Sequence, residues 1–357
     1  MTRTLEAKLT WDYKCGYMFR IAALLFAAFA GISVLAQEPA RRIGAIDFYG
    51  YAGLNLDQIR AALPLHVGDQ FPGPLESKEE ITKAVTSVTG HPPADVASVC
   101  CEAQGNFTIY VGLPGASMKE TKYNPIPNGK ASFPAEIVDL YKQAMDASSA
   151  AVLRGNAPED RSQGYALSIS DSELRSKQLA ARAYAIQHEK LILTVLDTSS
   201  DTQQRIAAAY LIGYARQSSR QIAALVAASH DADDTVRNNA TRALGVLAES
   251  SAKVAARIPA GGFITMLSSG SWTDRNKAGW VLTSLTKSRD PKLLARLHSE
   301  ALESLIEMAR WRDPGHAYSA RILLARIAGI DDKRAERLAH ADNADEIINA
   351  VGKQPKE

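Results

Sequence analysis

The chain has 357 residues, of which 46% are hydrophobic, 22% charged and 7% aromatic, and its formal net charge is +2. This composition is typical of a folded globular protein and excludes a disordered, collagen-like or polytopic membrane chain. Residues 1–36 carry the whole net charge, so the remainder is neutral and gives no basic footprint for nucleic-acid binding. Three cysteines are too few for a disulfide scaffold.

The first predicted element is an export signal. Residues 21–36 form an uncharged apolar run behind Arg20 and end in small residues, as signal peptidase requires. The run is shorter than the ~20 residues that span a membrane. We therefore predict a signal peptide at residues 1–36, in which Met18 is an alternative start of the chain. The alternative to a cleaved signal peptide is an uncleaved membrane anchor. The mature protein is expected to be exported, to the periplasm or the extracellular space, without a stable membrane span.

Residues 43–115 predict a small α+β domain in the order β-α-α-β-β. A strand leads into a helix that Asn55 can cap. Residues 77–80 match a capping box and predict the start of a second helix. The β-prone runs 96–101 and 107–112 then predict a hairpin.

This order of elements, together with the strand, glycines, helix and turn of residues 43–71, resembles a POTRA (polypeptide-transport-associated) domain. The resemblance implies a module that binds other chains, often by adding a strand to an exposed sheet edge. A small α/β module that merely caps the following region is the alternative.

Cys100 and Cys101 are adjacent in the first strand of the predicted hairpin. Neighbouring side chains of a strand point to opposite faces, so a bond between these two thiols would need a strained backbone. We predict a structural role, and the alternatives are a redox-active or intermolecular disulfide and metal ligation. The metal alternative lacks a Cys-x-x-Cys or His/Cys cluster.

Residues 116–134 are rich in proline and predict a linker, and residues 135–190 predict a helical linker or capping region. Residues 191–340 contain a repeat, and residues 341–357 a C-terminal cap and tail. In each repeat an alanine is followed three and four residues later by an apolar pair, on a helix that follows another apolar helix. These anchor alanines are Ala208, Ala240, Ala278 and Ala320.

A short acidic turn joins the two helices of each repeat, and in three repeats a basic residue follows it, namely Arg205, Arg237 and Arg275. The turn acid can cap the second helix and pair with neighbouring arginines. These features resemble HEAT repeats, which implies an all-α solenoid with a long surface for protein binding. We expect the three arginines to form a structural ladder between adjacent turns.

Two positions after the first three anchors the chain carries Tyr210, Arg242 and Trp280. Aromatic residues and arginine are the types that anchor protein interfaces. We predict these three as protein-binding residues, although packing against a neighbouring loop explains Trp280 equally well.

Motifs for catalysis, cofactors or metals are not found in the sequence. The zinc-protease-like start at His188 has Ile192 where the second histidine must stand. The acidic stretch 230–234 is followed by Val236 where a calcium loop needs glycine. Glycine fingerprints for phosphates, dinucleotides or a nucleophilic serine are missing as well. We therefore expect no catalytic residue, no cofactor and no metal.

The leading hypothesis is an exported, noncatalytic scaffold that binds one or more proteins through its helical repeats and the sheet edge of the α+β domain. A second hypothesis is an enzyme, because HEAT-like repeats also resemble those of phycobilin lyase-type proteins and because Cys100 or Cys101 could act as a thiol. A third hypothesis is a periplasmic chaperone or regulator of an envelope complex.

Overall fold

The computed structural model describes residues 41–100, 105–156, 158–341 and 344–352. Two of the predictions fall outside these ranges, namely the signal peptide at residues 1–36 and the role of Cys101. The described residues all belong to one compact unit, Ala40–Glu357.

The N-terminal part is a small sheet domain in which two helices cover one face of three strands. Its elements are β1 (Ile43–Tyr49), α1 (Leu56–Ala62), α2 (Pro74–Thr89), β2 (Asp95–Cys100) and β3 (Phe107–Gly112). The central strand β3 pairs in parallel with β1 and antiparallel with β2. The predicted order of elements is thereby confirmed.

The caps of the two helices test the sequence signals directly. Asn55 caps α1 as predicted, because its side chain accepts the Gln58 N–H at 3.2 Å. The capping-box prediction at Ser77 is wrong, because α2 already begins at Pro74. Proline at the first helical position presets the backbone for a helix and needs no N–H partner. The Ser77 hydroxyl instead donates to the Gly73 carbonyl at 2.7 Å.

The remainder is mostly helical. Its elements are α3 (Ala135–Leu153), β4 (Glu159–Asp160), β5 (Leu167–Ser168), α4 (Ser172–Thr198), α5 (Thr202–Ile212), α6 (Ser219–Ala228), α7 (Asp234–Ser250), α8 (Ala252–Ala255), α9 (Gly261–Met266), α10 (Trp272–Leu285), α11 (Pro291–Ala309), α12 (Pro314–Ile327), α13 (Asp332–Ala339) and α14 (Asp345–Gly352). The β4–β5 hairpin lies in the region predicted as helical, and the sequence did not indicate it. A bend at His188 divides α4, where the backbone leaves the helical region.

The helices of the repeat region pack as pairs: α4 with α5, α6 with α7, α9 with α10, and α11 with α12. The second helices of these pairs also contact one another in series, α5 with α7, α7 with α10, and α10 with α12. Small residues allow helices to approach closely. Accordingly, the four anchor alanines are fully buried.

The three predicted ladder arginines are buried and join neighbouring helix pairs. Arg205 Nε lies 2.9 Å from Asp231 Oδ2, Arg237 Nε lies 2.9 Å from Asp274 Oδ1, and Arg275 Nη1 lies 3.2 Å from Glu307 Oε2. We expected the same acid of each turn to cap the second helix and to pair with an arginine. In the structure, different acids do so. For example, Asp233 rather than Asp234 caps α7, and Asp231 accepts the guanidinium.

The last acid of the ladder also holds the sheet domain. Both oxygens of the Glu307 carboxylate accept backbone N–H groups, from Gly50 at 2.7 Å and from Tyr51 at 2.9 Å. The Ser117 hydroxyl donates to the same carboxylate. One carboxylate thus links β1, the helical region and the segment between them.

The face of the sheet that α1 and α2 leave free packs against the helical region through aromatic rings. The Tyr110 ring lies 5.0 Å from the rings of both Trp272 and Trp311, and the Trp311 indole N–H donates to the Phe48 carbonyl at 3.3 Å. Aromatic pairs at such distances stabilise a packed interface beyond their buried area. The sheet domain is therefore fixed to the last helix pairs.

Residues 116–134, predicted as a linker, lie across the ends of the helix pairs, and we call them the strap. The N–H groups of Lys119, Asn124 and Gly129 donate to carbonyls of Ser268, His230 and Thr198, at 2.8, 2.7 and 2.7 Å. Each acceptor lies at or just beyond the end of the first helix of a pair. The strap therefore advances five residues for each helix pair that it crosses. At Gly129 a Cβ would come within 2.4 Å of the Thr198 carbonyl oxygen, so this crossing requires glycine.

The ladder predicts the effect of removing one guanidinium. In an Arg237→Met variant the Asp274 carboxylate stays buried without its cation, so we expect the free energy of unfolding to fall by about 3–5 kcal/mol in urea denaturation. Arg220→Met is the matched control, because Arg220 is exposed in α6. Equal urea midpoints for the two variants would contradict a stabilising ladder.

A buried acid between the sheet domain and the helical region predicts a pH dependence. Asp47 is 6% exposed and its Oδ2 accepts the Arg312 N–H at 2.8 Å. Burial raises the pKa of Asp47 from 3.8 to about 6, although the Arg312 N–H opposes the shift. The folded protein therefore holds this proton more tightly than the unfolded chain does, and the stability that the proton provides at low pH is lost as the pH rises through about 6.

An Asp47→Asn variant keeps the acceptor oxygen and has no proton to lose. We expect its free energy of unfolding, relative to the native sequence, to increase from pH 4 to pH 7 by up to about 3 kcal/mol. Urea denaturation at several pH values measures this difference. The control is Asp57→Asn in α1, whose side chain is 96% exposed. A constant difference across this range would show that Asp47 does not titrate as described.

Candidate functional site

The three predicted contact residues lie on one surface of the helical region. Tyr210, Arg242 and Trp280 are on α5, α7 and α10, the second helices of three consecutive pairs. We call the surface that these residues and Lys277 of α10 form the second-helix face. The structure brings the three predicted residues together, and it also shows that other segments of the chain contact them.

Tyr210 is covered by α3. Its ring lies 5.3 Å from the ring of Tyr141, and its hydroxyl donates to the Tyr214 hydroxyl at 3.3 Å. Burial raises the pKa of the Tyr210 phenol well above its ordinary value, with the neighbouring Tyr214 adding to the shift. Intramolecular packing thus accounts for part of the Tyr210 surface, and the residue stays partly exposed.

Arg242 binds a carboxylate from the β4–β5 hairpin. Its Nη2 lies 2.7 Å and 2.6 Å from the two oxygens of Glu159. Arg161 of the same hairpin also donates to Glu159, at 3.2 Å. Burial alone would raise the pKa of Glu159, but Arg242 and Arg161 outweigh it and hold that pKa below its usual range. Glu159 is therefore an ionised carboxylate between two guanidinium groups.

Trp280 packs between the hairpin and the preceding second helix. The Arg161 guanidinium lies over the indole, 4.8 Å from its centroid, which is a cation–π contact. On the other side the indole lies so close to Gly245 of α7 that a Cβ there would be 2.7 Å away. Intramolecular packing thus explains part of the Trp280 surface, while the residue stays half-buried.

Lys277 belongs to the same face, and no pattern in the sequence indicated it. It is half-buried, and it forms no hydrogen bond or ion pair with any residue that the structure describes. Burial, helped by the charges of Arg242 and Arg161 and opposed by Glu159, lowers the pKa of Lys277 to about 8. Lys277 directly precedes the anchor Ala278, and this was the one feature of the sequence that could have drawn attention to it. That position does not indicate that Arg161 lies nearby.

The His316 ring belongs to the aromatic contact with the sheet domain, and the charge of Lys277 acts on it. His316 of α12 has its Nδ1 2.6 Å from the Tyr110 hydroxyl, and its ring lies 5.1 Å from the ring of Trp272. Burial lowers the pKa of His316, and the nearby Lys277 charge lowers it further against Asp313. His316 is therefore a neutral imidazole at neutral pH.

The charges around Lys277 do not balance. Two guanidinium groups and one ammonium group face two carboxylates, the buried Glu159 and the more exposed Glu249, which lies 3.4 Å from Arg161. A half-buried cation in a cluster with surplus positive charge favours binding of an anion. Within the described ranges, no group of three or more His, Cys, Asp or Glu residues could hold a metal ion. The arrangement is chemically suited to holding an anionic group beside aromatic rings.

The predicted redox residue Cys100 lies apart from this face, at the end of β2. Its sulfur is in a disulfide. The Arg41 guanidinium approaches the Cys100 sulfur at 3.3 Å. Cys101 is itself outside the described residues, so the predicted redox role stays a prediction.

In sequence comparisons, no protein-family model matches the chain, and no curated protein is similar enough to count as a relative. Among the described residues, none of the helices has the length and apolar character needed to span a membrane.

The charge arrangement predicts how Lys277 titrates when Glu159 changes. The Glu159 carboxylate favours the charged form of Lys277, so in a Glu159→Gln variant we expect the pKa of Lys277 to fall further below about 8. NMR of ¹³C-methylated lysines measures this pKa, and a Lys277→Arg variant identifies the resonance. Glu300→Gln is the control, since Glu300 pairs with Arg296 on α11. An unchanged pKa in Glu159→Gln would contradict the described site.

Proposed function

We propose that the protein is an exported, noncatalytic scaffold that binds another protein through the second-helix face. In this proposal the helical region is a HEAT-like solenoid, and the α+β domain is a POTRA-like module fixed to its end. A partner would contact the part of the face around Lys277 and Trp280, because the chain's own segments already occupy Tyr210 and Arg242.

One observation carries the proposal: this face already binds polypeptide. Helix α3 places Tyr141 on Tyr210, and the β4–β5 hairpin places Glu159 on Arg242. These contacts combine an aromatic anchor with a charge-assisted hydrogen bond, the types that dominate protein interfaces. The next second helix, α10, offers the same chemistry in Trp280 and Lys277.

The packing of the helices supports the repeat part of the proposal. Second helices contact one another in series, and one buried arginine in each of three pairs bonds an acid of the next. Such nearest-neighbour packing is typical of solenoids, whose extended surfaces bind other proteins.

The sheet edge remains part of the proposal. The outer edge of β1 is partly engaged, because Ile43 exchanges backbone hydrogen bonds with Gly68 and Asp69. The other edge strand is β2. If a partner adds a strand to this sheet, we expect it to pair with β2.

Export to an oxidising compartment agrees with one feature of the described residues. Cys100 is in a disulfide. Disulfides form and persist mainly in secreted and periplasmic proteins and are rare in the cytosol.

Site-specific photo-crosslinking tests the proposal. A photoreactive residue at Asn276 of α10, one position before Lys277, is compared with one at Lys292, which is exposed on α11. With the mature chain in envelope extract, we expect a discrete protein adduct from position 276 that position 292 does not give. Lys277→Glu should reduce this adduct at least several-fold, because like charges repel an anionic partner.

The control variant is Lys292→Glu, which makes the same charge change on α11. It should leave the adduct at position 276 unchanged. Adducts that are equal at the two positions, or equally strong in Lys277→Glu and Lys292→Glu, would overturn the proposal.

A further inference from the structure

A cleft of about 580 Å³ runs along α6, the first helix of the second helix pair. A volume of this size is typical of sites for small molecules. The cleft is left open because α8 and α9, which follow α7 in the chain, are only four and six residues long. The loop between these two short helices therefore faces α6, and it supplies Arg257 and Pro259 as the opposite wall.

The α6 wall of the cleft is an apolar stripe. Its lining positions 219, 222, 223, 226, 227 and 230 recur at helical spacing, so they share one face and span about 16 Å at the rise of an α-helix. The middle of the stripe consists of Ile222, Ala223, Val226 and Ala227. These side chains offer no hydrogen-bond donor or acceptor. An extended peptide would leave its N–H and C=O groups against them, whereas an alkyl chain has no such groups.

Arg257 supplies a positive charge at one end of the stripe. Its Nη2 donates to the hydroxyl of Ser219, the first residue of α6, which places the guanidinium there. Arg257 forms no ion pair with any residue that the structure describes, and it is the one charged side chain among the described residues of the lining. Arg296 of α11 also approaches α9, but Glu300 binds it at 2.7 Å, so that pair adds no net charge.

The other end of the cleft is polar and uncharged. The His230 ring packs against Gly262 of α9, where a Cβ would come within 2.6 Å of the ring Nε2. Burial lowers the pKa of His230, while Asp274 opposes the shift and Arg237 adds to it, so the imidazole is neutral at neutral pH. An anionic group in the cleft is therefore attracted to the Arg257 end.

We propose that this cleft binds a medium-chain aliphatic carboxylate, with its carboxylate on the Arg257 guanidinium and its alkyl chain along the α6 stripe. The fork of N–H groups on a guanidinium matches the two oxygens of a carboxylate. A single cation also matches the single charge of a carboxylate better than the nearly double charge of a phosphate monoester at neutral pH. The cleft lies on a first helix, so the inference goes beyond the proposed function and does not depend on it.

Isothermal titration calorimetry of the full mature chain with decanoate, below the concentration at which decanoate forms micelles, tests the site. We expect one bound molecule per chain. Arg257→Met keeps an aliphatic side chain in the lining and removes the charge, so it should weaken binding about tenfold or more. The matched control is Arg220→Met, because Arg220 is exposed on α6 and does not line the cleft. It should bind decanoate as the native sequence does.

Two further comparisons test the position of the alkyl chain. Ala223→Phe places a ring in the cleft and should weaken binding about tenfold or more. Ala252→Phe adds the same ring at an exposed position of α8 outside the lining and should leave binding unchanged. In the native sequence, each methylene group added from hexanoate to decanoate should strengthen binding about two- to fourfold, because it buries more apolar surface. Circular dichroism confirms that each variant is folded.

Binding of octan-1-ol as tight as that of octanoate would overturn the inference, because the carboxylate would then contribute nothing. So would equal affinities of Arg257→Met and Arg220→Met, or of Ala223→Phe and Ala252→Phe. The same affinity for hexanoate and decanoate, or no binding of decanoate at millimolar concentration, would also overturn it. Tighter binding of decyl phosphate than of decanoate would overturn the choice of a carboxylate.

Discussion

A buried guanidinium needs an acceptor for nearly all of its N–H groups, and in this protein that need joins each helix pair to the next. Arg237 shows how it is met: its Nη1 donates to two carbonyls of its own turn, at 3.0 Å each, and its Nε to Asp274 of the following pair. The Tyr123 ring of the strap lies 3.9 Å from the same guanidinium. Because an unpaired buried charge is costly, the pairs are held in one register.

The alanines and arginines that recur in this arrangement could be predicted from the sequence. The role of Glu307, the last acid of the ladder, could not. Anchor alanines and ladder arginines recur at similar positions in successive helices, so a local pattern identifies them. Glu307 occupies no repeated position of that kind, and its contacts with Gly50 and Tyr51 join parts of the chain 257 and 256 residues apart. The start of α2 was also misplaced, because the capping box at Ser77 and the proline at Pro74 both signal a helix start, and the helix begins at Pro74.

The same limit applies to the candidate site. Tyr210, Arg242 and Trp280 were identified because they share a register relative to the anchors. Glu159 and its hairpin were missed, because strands of two residues carry no detectable period and are formed by tertiary contacts. Arg242 and Glu159 are 83 residues apart, so their pairing, and with it the environment of Lys277, is a property of the fold.

The regular path of the strap limits how this protein could change its size. Solenoids commonly lengthen or shorten by whole repeats, since each repeat contacts only its neighbours. Here the strap crosses one helix pair every five residues and reaches the first pair at Thr198. The sheet domain precedes the strap and is bonded to Glu307 of the last helix pair. Duplication of one helix pair would leave the strap about five residues too short, so a repeat could be gained only together with a matching insertion in the strap. The number of helix pairs is therefore set by the length of a segment that contains no repeat.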